Sequence, residues 1–90
     1  MENCRKYLFI TDPGHGWLRV PLVDITDSGA PISRYSYRDH TYGYLEEDCD
    51  AGAFLQAVAD MGGECSITHD SSACIAGAPE CFIRRLAHWR

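Results

Sequence analysis

The densest group of chemically active side chains in this 90-residue chain is a block of four carboxylates: Glu46, Glu47, Asp48 and Asp50. One or two acids are enough to complement the positive N-terminal end of a helix, and carboxylates packed this closely repel one another. A divalent cation would take carboxylate oxygens, but the spacing of a calcium-binding loop is absent. We call this block the acidic corner. We predict that it binds a basic protein surface by charge complementarity, the alternative being helix capping and solubility.

Aromatic residues near the acidic corner are the candidates for apolar contacts with such a partner. Trp17 follows a turn at 12–16 and is either a core residue or an interface anchor, since both are common for tryptophan. Tyr42 and Tyr44 alternate with Gly43, and no lysine or arginine separates them, so core packing or protein contact is favoured over stacking on nucleic-acid bases. The predicted partner-binding residues are Glu46, Glu47, Asp48, Asp50, Trp17 and Tyr42.

His15 lies between two glycines in the turn at 12–16. Glycine-rich phosphate-binding loops open a helix, whereas this segment joins two strand-like runs. A plain hairpin turn is therefore the prediction for it.

Five cysteines are distributed without a Cys-x-x-Cys pair: Cys4, Cys49, Cys65, Cys74 and Cys81. Their odd number and the lack of a secretory pattern argue against a disulfide framework. A four-ligand zinc site is conceivable from Cys65, His69, Cys74 and Cys81, but this spacing matches no standard zinc module. We predict no metal and no cofactor, and retain a metal-binding or redox accessory protein as the alternative. Cys49 is the best candidate for a reactive thiol because a helix N-terminus lowers a thiol pKa, although the neighbouring carboxylates oppose this.

Composition excludes several classes of function. The formal net charge is −5, and a general nucleic-acid binder needs a basic stripe that the first eighty residues lack, so no direct nucleic-acid contact is expected. Hydrophobic residues make up 46% of the chain, too many for a disordered protein. The first apolar run stops at Ile10 and no run approaches a transmembrane length, so we expect a cytoplasmic protein without a membrane partner.

The first half of the chain predicts two hairpins around a short helical segment. Strand-like runs at 7–11 and 17–20 flank the Asp-Pro-Gly-His-Gly turn. Segment 22–29 favours a short α-helix or 3₁₀ segment over a strand. Alternation at 32–38 and 41–46 then predicts a second hairpin with a tyrosine-rich face.

The second half predicts helix, strand, helix. Asp48 or Asp50 is the expected N-cap of the first helix, in which Phe54 and Val58 recur at helical spacing and Met61 follows, and Gly62-Gly63 ends it. Residues 64–69 alternate as a strand, and a loop leads to a last helix from Pro79. The apolar stripe of that last helix is Phe82, Ile83, Leu86 and Trp89. The prediction is one small α+β domain over 1–90, with a mainly antiparallel sheet of about four to five strands and two main helices packed on one face.

Segments 7–22, 32–37, 44–51 and 54–55 resemble a group of small uncharacterised proteins encoded by bacteriophages and other bacterial mobile elements. The resemblance covers about the first two thirds of the chain, and the residues at 82–86 are also similar. It implies an accessory protein in the cytoplasm of a bacterial host and brings no catalytic residues with it. Small acidic phage proteins often block host proteins such as CRISPR effectors and restriction enzymes.

The resulting expectation is a non-enzymatic, anti-CRISPR-like inhibitor that binds a host nucleic-acid-binding defence complex through its acidic surface. Two alternatives remain. One is the metal-binding or redox hypothesis, and the other is a structural or regulatory phage protein whose acidic face is only solvated. A homodimer is compatible with each of these hypotheses.

Overall fold

The structure is a computed structural model that describes residues 4–11, 14–70, 83 and 86–89. Within these ranges the chain forms six strands and two helices, which confirms the α+β class. The elements in chain order are β1 (Cys4–Thr11), β2 (Gly16–Pro21), α1 (Leu22–Ser28), β3 (Tyr37–Arg38), β4 (Tyr42–Glu46), α2 (Asp50–Asp60), β5 (Glu64–Asp70) and β6 (Ala87–His88).

All six described strands belong to one sheet, in the order β5-β1-β2-β4-β3-β6. Pairing is antiparallel at every step of this order except at the edge, where β5 runs parallel to β1. The sheet is therefore mixed and has more strands than the four to five predicted. The parallel edge arises because α2 carries the chain from the end of β4 across the sheet to the start of β5, the crossover that parallel strands require.

One face of the sheet carries the main core. The β1–β2 hairpin pairs Phe9 with Leu18, and both side chains point to the side on which the helices lie. Ile25 of α1 and Phe54 and Val58 of α2 pack on that side, so the two described helices share one face of the sheet. The fully assembled cluster also includes Tyr7, Val20, Ile32, Leu45 and Ala51.

The opposite face carries a second cluster. It consists of Ile10, Trp17, Tyr44 and Ile83, each at most 3% exposed. Ile10 pairs with Trp17 across the hairpin, one step along from the Phe9–Leu18 pair, because successive strand residues point to opposite faces. The sheet therefore separates a larger cluster under the helices from a smaller cluster that contains Trp17 and Tyr44.

Two predicted elements differ from the structure. Residues 32–36 do not form a strand, and β3 is limited to Tyr37–Arg38 because a turn at 33–36 is held by side-chain hydrogen bonds. The prediction of a last helix is wrong at Ala87–His88, which pair with β3 as an edge strand, and the Trp89 N–H donates to the Ser36 carbonyl (2.7 Å). The start of that helix, from 79 to 82, lies outside the described residues.

Candidate functional site

A pocket of about 480 Å³ lies on the face of the sheet opposite the helices. We call it the aromatic pocket; its lining residues are His15, Trp17, Tyr35, Tyr37, Glu46 and Cys49. The sheet positions three of them, because Trp17 of β2 is paired directly with Glu46 of β4, and Tyr37 of β3 with Tyr44 of β4. The others lie on the loops that enter β2, precede β3 and follow β4.

The aromatic rings of the pocket lie at different depths below the surface. Trp17 is 2% exposed and forms the floor, with the His15 ring stacked on it at 6.0 Å between ring centres and the Tyr37 ring meeting it edge-on at 6.3 Å. Tyr35 is 66% exposed and stands at the rim. His88 of β6 lies against Tyr37 at 4.6 Å and holds that ring in place from outside the pocket.

Glu46 supplies the carboxylate of the pocket wall. Its Oε2 accepts a hydrogen bond from the Asp48 N–H (3.0 Å), and its Oε1 accepts one from the Cys49 N–H (2.9 Å). The half-buried side chain is thus folded back on the turn that joins β4 to α2. The result is a negative charge fixed beside aromatic rings, with lone pairs left on both oxygens.

A buried carboxylate holds the loop that carries Tyr35. Asp50 is 1% exposed and accepts hydrogen bonds from the Ser33 N–H (3.1 Å), the Ser33 hydroxyl (2.7 Å) and the Ser36 hydroxyl. The Ser36 oxygen in turn accepts from the Glu46 N–H (2.9 Å). This network satisfies the buried charge and fixes the loop against the end of β4, so it positions the pocket without entering it.

The structure divides the acidic corner. Glu47 and Asp48 are exposed, Glu46 is half-buried, and Asp50 is buried. The prediction that Asp50 belongs to an accessible acidic surface is therefore wrong. The N-cap prediction is also wrong: α2 begins at Asp50 after Cys49, whose side chain makes no capping hydrogen bond among the described contacts. Four carboxylates in sequence thus serve three purposes, namely a buried anchor, a turn brace and an exposed pair.

The two aromatic residues predicted to bind a partner are less accessible than an interface anchor would be. Trp17 is buried, which favours the core alternative over the anchor. Tyr42 is half-buried, and its ring lies 4.6 Å from the Arg19 guanidinium carbon and 6.4 Å from the Tyr44 ring. A contribution of Tyr42 to partner binding stays a prediction.

Four pocket residues were absent from the predicted binding set: His15, Tyr35, Tyr37 and Cys49. The sequence predicts a plain turn at His15 and one face of a hairpin for the two tyrosines. The missing signal was the pairing of β2 with β4, which brings the turn before Trp17 next to the turn after Glu46.

The cysteine-based zinc hypothesis conflicts with the geometry of β5. Cys65 and His69 lie four residues apart on one regular strand, so their Cα atoms are about 13 Å apart. Side chains on one face of a strand stand roughly parallel to one another, so the sulfur and the imidazole nitrogen stay too far apart for bonds of about 2.1–2.3 Å to one zinc ion. Cys74 and Cys81 lie outside the described residues, and the part of the chain that is described holds no cluster of three metal-ligating side chains.

Comparison with protein-family models, with curated proteins and with solved structures found no match to this chain. Among the described residues, no helix is long and apolar enough to cross a membrane.

Proposed function

We propose that this chain is a non-enzymatic protein-binding module of phage or mobile-element origin that inhibits a host nucleic-acid-binding defence complex. The proposal takes its biological context from the resemblance and its mechanism from charge. The module contacts a basic surface of the host complex, and that contact competes with nucleic acid for the same positive charges.

One observation carries this proposal. The exposed carboxylates of Glu47 and Asp48 lie in the turn between Glu46 and Cys49, both of which line the aromatic pocket. An open pocket with aromatic walls and a negatively charged rim offers a partner both an apolar contact and a charge contact. Aromatic contacts at the centre and charge at the edge are typical of protein interfaces.

The acidic surface is narrower than the sequence indicated. Asp50 is excluded by its burial, and Glu46 contributes charge but is occupied in bracing the turn. Charge reversal at Glu47 and Asp48 therefore tests the interface without touching either hydrogen-bond network.

The test is capture of host proteins from a bacterial lysate on the tagged chain, read by mass spectrometry over a series of salt concentrations. The E47K/D48K double variant should weaken capture of a nucleic-acid-binding complex by about tenfold or more at low salt and flatten its salt dependence. Added nucleic acid should compete with the wild-type chain for that complex.

The matched control is D27K/D60K, which changes the net charge by the same amount at exposed positions on α1 and α2. It should capture the complex as the wild type does, because the helices lie on the other face of the sheet. Equal loss in both double variants would reduce the proposal to a net-charge effect. If neither double variant changes capture, a structural or regulatory protein with a solvated acidic face is favoured. The same holds if the wild-type chain captures no host complex.

A further inference from the structure

We infer that the aromatic pocket is a receptor for the guanidinium group of an arginine side chain. This inference rests on the proposed function in that the arginine would belong to the basic surface of the partner. The pocket itself can be tested without that partner.

The chemistry of the walls selects a cation. Aromatic rings attract a cation to their faces, and the accessible rings of the pocket are those of Tyr35 and Tyr37, above the buried Trp17 ring at its floor. Glu46 adds a carboxylate to the same wall, and a carboxylate with free lone pairs is the natural partner of a guanidinium. An anion would be repelled by Glu46, and a neutral apolar group would leave that charge desolvated and unpaired.

Arginine fits better than lysine because the guanidinium is planar. It can stack on a ring while its edge donates hydrogen bonds to a carboxylate, whereas a compact ammonium does only one of these well. The ring contact occurs elsewhere in this chain: the Arg19 guanidinium lies 4.6 Å from the Tyr42 ring and that of Arg38 lies 5.5 Å from the Trp89 ring. The pocket volume of about 480 Å³ admits the group together with part of its aliphatic stem.

Arg34 lies beside Tyr35, the residue at the rim of the pocket. Its guanidinium lies 5.9 Å from the centre of the Tyr35 ring, at the outer limit of a cation–π contact. A guanidinium brought by a partner would compete with it for that ring. Removing the Arg34 side chain should therefore strengthen binding of an external arginine. If Arg34 only supported the local structure, its removal would not increase the affinity for an external arginine.

The test is titration of the full chain with N-acetyl-arginine amide, followed through amide chemical shifts and the indole signal of Trp17. The matched probes are N-acetyl-citrulline amide, which has nearly the same shape without the charge, and N-acetyl-lysine amide. Arginine should bind in the millimolar range expected for one side chain, at least about fivefold tighter than either matched probe. Shifts should centre on the pocket residues.

Three variants test the assignment of the walls. Tyr35→Ala should weaken arginine binding about fivefold, Glu46→Gln about tenfold, and Arg34→Gln should strengthen it about two- to threefold. Tyr35 and Arg34 are exposed, so their variants keep the fold. Met61→Ala removes another exposed apolar side chain, at the end of α2, and should leave binding unchanged.

Citrulline binding as tightly as arginine, or no binding of any probe, would overturn the inference, and equal binding of lysine would overturn the guanidinium preference. A pocket that does not bind arginine can be distinguished from a wrong proposed function. If E47K/D48K still weakens capture of a host complex while arginine does not bind, the inference falls and the proposed function stands. If arginine binds but no complex is captured, the inference stands and the proposed function falls.

Discussion

Asp39 shows how one surface carboxylate can organise a hairpin. Its Oδ1 accepts hydrogen bonds from the Thr41 N–H (2.8 Å) and the Tyr42 N–H (2.7 Å), and its Oδ2 accepts one from the Tyr44 hydroxyl (2.9 Å). Burial alone would raise the pKa of Asp39, but these hydrogen bonds outweigh it and bring the pKa below its ordinary value of 3.8. The carboxylate form is thus favoured by folding, in the turn that joins β3 to β4.

A lowered pKa in the folded state has a definite consequence for stability. The stabilisation from Asp39 is fully present above pH 3.8 and is lost as the pH falls through the lower folded value. Asp39→Asn keeps an acceptor but loses the charge, so it should lower the free energy of unfolding at neutral pH by about 1 kcal/mol. Urea unfolding at neutral and acidic pH checks this. The gap between wild type and variant should close in acid, and a gap of equal size at both pH values would contradict it.

The elements that were predicted correctly are those whose signals are local. The β1–β2 hairpin has its strands and its turn within a few residues, and α2 combines Phe54 and Val58 at helical spacing with a helix end at Gly62, whose φ is +82°. Local alternation failed at 32–36, where Ser33 and Ser36 bond to Asp50 instead of continuing a strand. These contacts join residues that are 17 and 14 positions apart, and they leave no periodic trace in the sequence.

The candidate site was harder to predict than the fold for the same reason. The acidic corner was visible as composition, but which of its members is buried depends on donors contributed by a distant loop. The aromatic pocket depends on β2 pairing with β4, whereas sequence order alone suggests that hairpin neighbours pair. The β5 edge shows this as well, because Glu64 of β5 pairs with Cys4 of β1, far from it in sequence.

Gly43 of β4 has no side chain, and this allows Ile25 of α1 to pack close to the sheet. A Cβ at this position would lie 2.5 Å from Cδ1 of Ile25 and 3.0 Å from Cζ3 of Trp89. Gly43→Ala should therefore lower the free energy of unfolding by about 1–3 kcal/mol through overpacking. Adding Ile25→Val removes the atom that clashes most and should recover part of this loss.

The matched control is Gly52→Ala in α2, where a Cβ meets no atom within 4 Å. There alanine should stabilise the helix by roughly 0.5–1 kcal/mol. Thermal unfolding followed by circular dichroism measures both substitutions. A Gly43→Ala variant as stable as the wild type would show that β4 and α1 can separate at no cost, contrary to the packing described.

The two hydrophobic clusters described above pack against opposite faces of the same sheet. In β2, Leu18 points to the helices and its neighbour Trp17 to the aromatic pocket; in β4, Leu45 and Tyr44 divide in the same way. Neither cluster can lose its packing without disturbing strands that support the other. For a domain of this length, with a total stability of about 5–13 kcal/mol, this coupling predicts a single cooperative transition instead of separate melting of the two sides.

The coupling can be measured because the sequence has two tryptophans and one lies in the pocket floor. In a Trp89→Phe background, fluorescence reports Trp17 alone while far-ultraviolet circular dichroism reports the whole sheet. The two unfolding midpoints should coincide. Phe54→Ala, on the helix side, should lower the free energy of unfolding by about 3–5 kcal/mol and shift both midpoints equally, although Phe54 belongs to the other cluster. Loss of the Trp17 signal at a lower denaturant concentration than the circular-dichroism signal would mean that the pocket opens alone, and a partner would then bind a face that orders on contact.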